Sequence, residues 1–465
     1  MTDSAGATNG GSYDLVILGG GSGGYACALR AAELGKRVAL IEKDKVGGTC
    51  LHRGCIPTKA LLHAAEVADH ARDGANIGVL AALNGIDMTG VNSYKDKVVT
   101  RLWKGLTGLV ASRKIDVIEG TGRLVSPVSV QVGDRVITGE HIVLATGSQT
   151  RSLPGLEIDG NRVITSDHAL QLEHVPSSVV ILGGGVIGVE FASVWRSFGA
   201  EVTIVEMLPH LLPTEEESSS KLLERAFRRR GINFRLGTRF ESVKDTGTGV
   251  TVTLEGGTTI DAELMLVAVG RGPVSAGLGY DEVGVAMERG FVLVDEYCRT
   301  NVPTISAVGD LRPGLQLAHV GFAEGIMVAE RLAGLRVVPV DYDGVPRITY
   351  SDPEVASVGI TSAVAAARGI EVTEFTYDLA GNGKSQILQT AGAAKVIVTA
   401  GGGPTLGVHL VGAHAGDMIA EAQLIVNWEA VPADVALLIH PHPTQSEAIG
   451  EAFLALAGKP LHNHG

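Results

Sequence analysis

Cys50 and Cys55 stand five positions apart in Gly47-Gly48-Thr49-Cys50-Leu51-His52-Arg53-Gly54-Cys55-Ile56-Pro57-Thr58-Lys59, and thiols so placed read as a redox-active pair. In a straight α-helix, residues five apart have Cα atoms roughly 8.6 Å apart, beyond the roughly 7 Å that a disulfide tolerates. The backbone between them must therefore be distorted. Gly48 and Gly54 supply the freedom, and Pro57 limits a regular helix before it while fitting the first turn of a new one. A strained bend favours a reducible bond. Two other readings stand beside this one, structural zinc and a pair of unrelated core cysteines. Zinc asks for close Cys or His spacings and a second pair, whereas Cys27 and Cys298 are isolated.

A second group that can move protons lies near the C-terminus, in His440-Pro441-His442-Pro443-Thr444-Gln445-Ser446-Glu447. The prolines hold the histidines extended, and Glu447 follows Thr444 at capping-box spacing ahead of an apolar helix through Phe453 and Leu456. The plain reading is a Thr-capped helix with solvated histidines. Beside a thiol pair, His442 and Glu447 also form a base with its orienting carboxylate. His440 competes with His442, because residues two apart in an extended segment point the same way.

The elements that position these groups announce themselves by glycine. Tyr13 to Leu18 is a short apolar run followed by Gly19, Gly21 and Gly24 in G-x-G-x-x-G spacing, a helical pattern, and a second strand over Val38 to Ile41. The glycines allow a tight turn, close approach of a pyrophosphate and close helix packing. Glu42 ends the second strand 23 residues after Gly19, where a carboxylate accepts hydrogen bonds from a ribose. The unit recurs once, as Val179 to Leu182, Gly183, Gly185, Gly188, a helix through Phe198, and Val202 to Val205 ending at Glu206, again 23 residues on. Two dinucleotide domains follow. A carboxylate at Glu206 suits the free 2′-hydroxyl of NAD and repels the 2′-phosphate of NADP, and no Arg immediately follows it.

Glu119 to Val132 and Val136 to Ala145 read as strands that return the chain to the first sheet, ending at Thr146-Gly147-Ser148. Val250 to Leu254 and Leu264 to Val269 do the same for the second, ending at Gly270. Ile305 to Asp310 is a strand closing on Gly-Asp, either a plain turn or a carboxylate placed to reach a sugar-like chain. From about Asp343 the pattern changes to the alternation of Val355 to Ile360, Ala394 to Val398 and Leu406 to Val411, interrupted by a helical stretch over Ile419 to Trp428. This predicts a separate α+β domain.

At 465 residues the chain exceeds one ordinary core, and a net charge of −13 without a basic patch argues against nucleic acid or an anionic membrane as the main partner. No apolar run of about twenty residues suggests a membrane span. The first dozen residues lack a charged n-region and an apolar h-region, and read as a frayed terminus rather than a secretion signal. Only four cysteines are present, so the pair at 50 and 55 reads as chemistry in a reducing compartment, the cytoplasm.

Taken together, these residues resemble the flavin-dependent disulfide reductases nearly end to end. The resemblance is carried by the glycine turn at 19–24, Gly-Gly-Thr-Cys-x4-Cys-Ile-Pro-x-Lys at 47–59, Ala145-Thr146-Gly147, the turn at 183–188 with Glu190, Gly309-Asp310, and His442-Pro443-Thr444-x-x-Glu447. It implies an α/β fold with two Rossmann-like domains, for FAD and NAD, and a C-terminal α+β dimerisation domain. The implied order is FAD-binding over 1–150, NAD-binding over 151–271, a central segment over 272–342 that completes the FAD domain, and an interface domain over 343–465. Glu42 would hold the adenosine ribose of FAD, Lys59 would sit near the flavin N5, Asp310 would bind the ribityl chain and Glu190 would lie near the nicotinamide. Thr49, Gly122, Thr146, Gly147, Ser148, Gly270 and Ala318 are further cofactor-contact candidates.

The activity implied is oxidation of protein-bound dihydrolipoyl groups through a Cys50–Cys55 disulfide and FAD, with hydride passed to NAD and His442 as base. Its partners would be a second copy of the chain, forming a homodimer that shares each active site, and lipoyl-bearing carrier proteins of 2-oxoacid dehydrogenase or glycine-cleavage type complexes. Rival readings are an NAD(P)H-dependent reductase of another disulfide or a metal ion, which Glu206 disfavours in its NADPH form, and a redox-silent nucleotide-binding subunit. His52-Arg53 departs from the Asn-Val that many members carry between the cysteines, which bears on tuning rather than on reaction class.

Overall fold

The computed structural model describes residues 12–462, so most of the terminus read as frayed lies outside the described residues. The chain divides into two compact units, one of Met1–Pro57, Lys95–Arg151 and Arg271–Val340, the other of Thr58–Tyr94, Ser152–Gly270 and Asp341–Gly465. Together they realise the α/β class expected, with parallel strand pairs at both glycine turns and an antiparallel sheet toward the C-terminus.

In the first unit, Tyr13–Leu18 lies at the centre of a seven-stranded sheet, parallel to Val38–Glu42 on one side and Arg135–Leu144 on the other. Continuous apolar runs form these strands because both faces are covered: Leu15, Val16, Ile17 and Leu40 are each 2% exposed or less. Ile305–Ala307 adds a further parallel strand beside Arg135–Leu144. The stretch expected as one strand from Glu119 to Val132 is instead three, Asp116–Glu119, Gly122–Ser126 and Ser129–Val132. Gly120 turns at φ +138° and Pro127, which has no N–H to give a ladder, occupies the next bend.

In the second unit, Ser178–Leu182 is central to a five-stranded parallel sheet, between Glu201–Val205 and Leu264–Val267. Val250–Leu254, expected to return to this sheet, belongs to a separate antiparallel sheet with Phe240–Asp245 and Thr259–Ala262. Its alternating buried and half-buried pattern is that of a strand covered on one face only. The predicted α+β region is a five-stranded antiparallel sheet in the order Arg347–Thr349, Glu354–Gly359, Thr405–Gly412, Ala393–Thr399, Val372–Asp378. Helices Ala415–Asn427 and Glu447–Leu456 bury Ile419, Ala422, Ile449 and Phe453 with Val358, Val396 and Leu410 in one core. Among the described residues, no helix is long and apolar enough to cross a membrane.

Candidate active site

Both glycine turns fold the same way, and sterics explain each position. Gly19 takes φ +107°, and a Cβ there would lie 2.3 Å from the Ala145 carbonyl oxygen. A Cβ on Gly24 would lie 1.8 Å from the Gly19 carbonyl oxygen, so the helix Ser22–Glu33 can approach its strand only with glycine there. Gly183 and Gly188 repeat these constraints, with a Cβ at 2.4 Å from the Ala268 oxygen and 2.0 Å from the Gly183 oxygen. The middle glycines differ: a Cβ on Gly21 meets only Gly48 Cα at 3.9 Å, and one on Gly185 meets nothing within 4 Å. Side-chain-free backbone facing open space, at the N-cap of a helix, is what a pyrophosphate needs. Gly24→Ala is accordingly expected to abolish cofactor retention, read as loss of flavin absorbance per mole of purified protein.

Each turn is tied to its acid. One Glu42 oxygen accepts the Gly20 N–H at 2.7 Å and the other the Asp44 N–H at 2.9 Å. Glu206 repeats the pattern with Gly184 at 2.7 Å and Leu208 at 2.8 Å. Both carboxylates are half-buried and keep lone pairs for a ribose.

The cysteine segment shows the distortion its spacing requires. Helix Gly48–Arg53 ends at Gly54, with φ −141° and ψ −111°, and a new helix, Cys55–Asp73, starts at once with Pro57 in its first turn. Cys50 lies within the first helix and Cys55 opens the second, both half-buried. Gly48 sits hard against Gly21, where a Cβ on Gly48 would be 2.6 Å from Gly21 Cα, so the redox segment abuts the phosphate turn. Of the His52-Arg53 pair noted above, His52 bonds the Val46 carbonyl at 3.0 Å and meets the Trp103 ring edge-on at 6.0 Å, while Arg53 pairs with Asp44 at 2.5 Å. Cys27 and Cys298 are core residues whose thiols burial pushes up to about 12, which keeps them protonated and inert. Tyr25, one turn into the glycine helix, is likewise raised to about 12, by burial first and then by Cys50 and Cys55.

Around Asp310 the structure gathers several candidates. Ser148 donates to the Asp310 carboxylate at 2.6 Å and accepts from Arg271 Nε at 2.8 Å. Thr146 spends its hydroxyl on the Val274 carbonyl at 2.5 Å, leaving Gly147 to turn the chain at φ +70°. Glu324, fully buried, accepts the Gly309 N–H at 2.7 Å and Arg312 Nε at 2.5 Å and so holds the Gly-Asp turn. Ala318 opens helix Ala318–Leu332, and just before it Gln316 Nε2 is buried without a partner among the described residues. That orphaned donor and the open phosphate turn fit a bound flavin nucleotide. Gly122 is packed instead, since a Cβ there would strike Leu18 and Val130 at 2.5 and 2.9 Å. Thr49 lies in the Cys50 helix, and Gly270 follows the Leu264–Val267 strand at φ +102° with nothing near.

In the second unit, Lys59 meets both oxygens of Glu190, at 2.9 and 2.8 Å. Glu190 is 3% exposed on helix Val186–Phe198, so a carboxylate there needs partners such as the Lys59 ammonium. Tyr350, absent from the sequence-based candidates, donates its N–H to Glu190 at 3.0 Å and lays its ring 4.7 Å from Lys59 Nζ.

The two histidines that alternation left equivalent have different surroundings. His440 pairs with Glu421 at 2.7 Å with its side chain 11% exposed, and that hydrogen bond raises its pKa. His442 is 76% exposed and pairs through Nδ1 with Glu447 at 2.9 Å. Against the cost of burial, the Thr444 N–H and His442 hold the Glu447 carboxyl below its ordinary value. The expected capping box is only half formed: Glu447 reaches back to the Thr444 N–H, but the Thr444 hydroxyl turns to the Pro441 carbonyl, and the helix starts at Glu447 itself. The Thr444 side chain supports the histidine loop instead of the helix.

Residues 13–325 match the profile described as Pyridine nucleotide-disulphide oxidoreductase, and residues 345–453 match that family's dimerisation domain. A dihydrolipoyl dehydrogenase of Bacillus subtilis (strain 168) is 43% identical over 97% of this chain and 99% of its own length. A mitochondrial dihydrolipoyl dehydrogenase of Pisum sativum is 40% identical over 97% and 92%. Among solved structures, LpdA of Mycobacterium tuberculosis superposes with a TM-score of 0.88 at 27% identity, covering 95% of this chain and 99% of that one. The HOCl-induced flavoprotein disulfide reductase RclA of Escherichia coli gives 0.85 at 30% identity over 95% and 99%.

Proposed function

We propose, for a chain that belongs to the pyridine nucleotide-disulphide oxidoreductase family and carries its dimerisation domain, that it is a dihydrolipoyl dehydrogenase working as a cytoplasmic homodimer. The observation that carries this reading is the redox-type cysteine segment seated against one dinucleotide turn, in a chain whose second turn ends in an acid suited to NAD. Its carrier substrates would be lipoyl-bearing proteins of 2-oxoacid dehydrogenase or glycine-cleavage type complexes. In this reading 1–150 and 272–342 form the FAD domain, 151–271 the NAD domain and 343–465 the interface.

Chemically, each residue has a task. With its Nδ1–H hydrogen-bonded to Glu447, His442 offers the Nε2 lone pair to a dihydrolipoyl thiol and takes its proton. The resulting thiolate attacks Cys50 Sγ, the Cys50–Cys55 bond breaks, and Cys55 leaves as a thiolate. The second substrate thiol then attacks the first substrate sulfur, now bonded to Cys50, and its proton passes to the departing Cys50 sulfur, which releases the lipoyl disulfide and leaves the enzyme pair reduced. When bound, FAD and NAD would supply the two-electron chemistry that returns the pair to a disulfide. Glu42, Asp310 and Ser148 would hold the ribose and ribityl ends, and Glu190 with Lys59 the region where flavin and nicotinamide meet. The exposed apolar run Leu437, Leu438 and Ile439, at 75, 57 and 97%, just ahead of His440 and His442, suits burial against a second copy.

Steady-state turnover with dihydrolipoamide against reduced glutathione, each with NAD and NADP, tests the assignment. Activity with dihydrolipoamide and NAD is expected; glutathione-linked turnover with NADP alone refutes it. Glu206→Ala should narrow the NAD:NADP efficiency ratio by roughly tenfold or more, the size of one like-charge contact of about 1.4 kcal/mol. An unchanged ratio would remove Glu206 from the nucleotide site.

A further inference from the structure

We propose that Tyr350 is a positioning residue for Lys59: its ring face and its backbone N–H together fix the Lys59–Glu190 pair, and so fix where the ammonium charge is presented to the flavin. This rests on the assignment above of Lys59 to the flavin region. A lysine has a long flexible stem, and a carboxylate alone leaves its ammonium free to swing between two oxygens. Here Nζ sits 2.9 and 2.8 Å from both Glu190 oxygens and 4.7 Å from the Tyr350 ring centroid, which adds a third fixed direction. The same residue donates its N–H to Glu190 at 3.0 Å, so ring and carboxylate cannot drift apart.

The segment holding the ring is itself anchored. Asp352 N–H bonds Ser193 Oγ at 3.0 Å, one helical turn from Glu190, and Arg230 joins Ser193 Oγ at 2.7 Å to the Asp352 carbonyl at 2.8 Å. Tyr350 therefore has a fixed place relative to the Glu190 helix before any cofactor is considered. Removing the ring loosens the cation and lessens the positive charge that favours a reduced, electron-rich flavin.

The test is an equilibrium titration of the purified holoprotein with mixtures of NADH and NAD of fixed ratio, read by flavin absorbance. For Tyr350→Leu, half-reduction is expected at an NADH:NAD ratio about threefold to tenfold higher than for the unmodified protein, whereas Tyr350→Phe, which keeps the ring, should hold the original ratio. In a Lys59→Met background the ring has no cation to hold, so Tyr350→Leu should add no further shift. Should Tyr350→Leu fail to retain flavin, Tyr350→Met is titrated in its place. The inference is overturned if the ringless variant titrates with the unmodified protein, if Phe shifts as far as Leu, or if the full shift persists without Lys59. An unmodified protein whose flavin NADH does not reduce would instead overturn the NAD-linked assignment.

Discussion

Cys50→Ser is expected to lower dihydrolipoyl turnover by at least about 10³-fold while leaving a coloured enzyme, and Cys55→Ser to lower it as far while leaving a different one. The difference follows from position. Cys55 is the first residue of the 19-residue helix Cys55–Asp73, where aligned peptide dipoles favour a thiolate, whereas Cys50 lies inside the six-residue helix before it. With Cys50 replaced, a lone Cys55 thiolate should give the oxidised flavin a long-wavelength charge-transfer band; with Cys55 replaced, the band should vanish. Visible spectra of the two variants decide this, and identical spectra would contradict the division of roles.

Removing the base should be nearly as damaging. His442→Gln is expected to slow dithiol oxidation by about 10²–10⁴-fold, the usual worth of a positioned general base, because thiols with ordinary pKa values are mostly protonated at neutral pH. His440→Gln should cost far less, since its ring is turned to Glu421 and mostly covered. The sharper experiment mixes His442→Gln with Cys50→Ser after subunit exchange. A site built from both copies regains activity at one intact centre of two in the heterodimer. Exchanged but inactive heterodimers would put base and disulfide in the same chain.

How much of this could be read from the sequence depends on how local each cause is. The strands at Tyr13–Leu18 and Val250–Leu254 fall where their apolar pattern put them, and the glycines of both turns are where backbone sterics demand them. A distortion between the cysteines was expected from the distance two bonded thiols can span, and a helix break falls there, at Gly54. What escaped was set by partners far along the chain. Periodicity marks Val250–Leu254 as a strand but does not say which sheet receives it. Nothing in the residues around Tyr350 points to Glu190, 160 positions earlier, and Glu324 reads as an ordinary helix acid until it is found fully buried beneath Gly309. The Thr444 side chain followed the wrong local rule, because spacing specifies a capping box without saying which way the hydroxyl turns.

Glu42 and Glu206 are pinned alike, yet the residue two places on differs. Asp44 is gripped by Arg53, on the helix that carries Cys50, while Leu208 reaches solvent and grips nothing of the kind. Through Asp44 and Arg53 the Glu42 loop is thus linked to the Cys50 helix by a half-exposed ion pair, so a change at one end of that link is felt at the other, whereas the Glu206 loop is pinned only by its own backbone N–H groups.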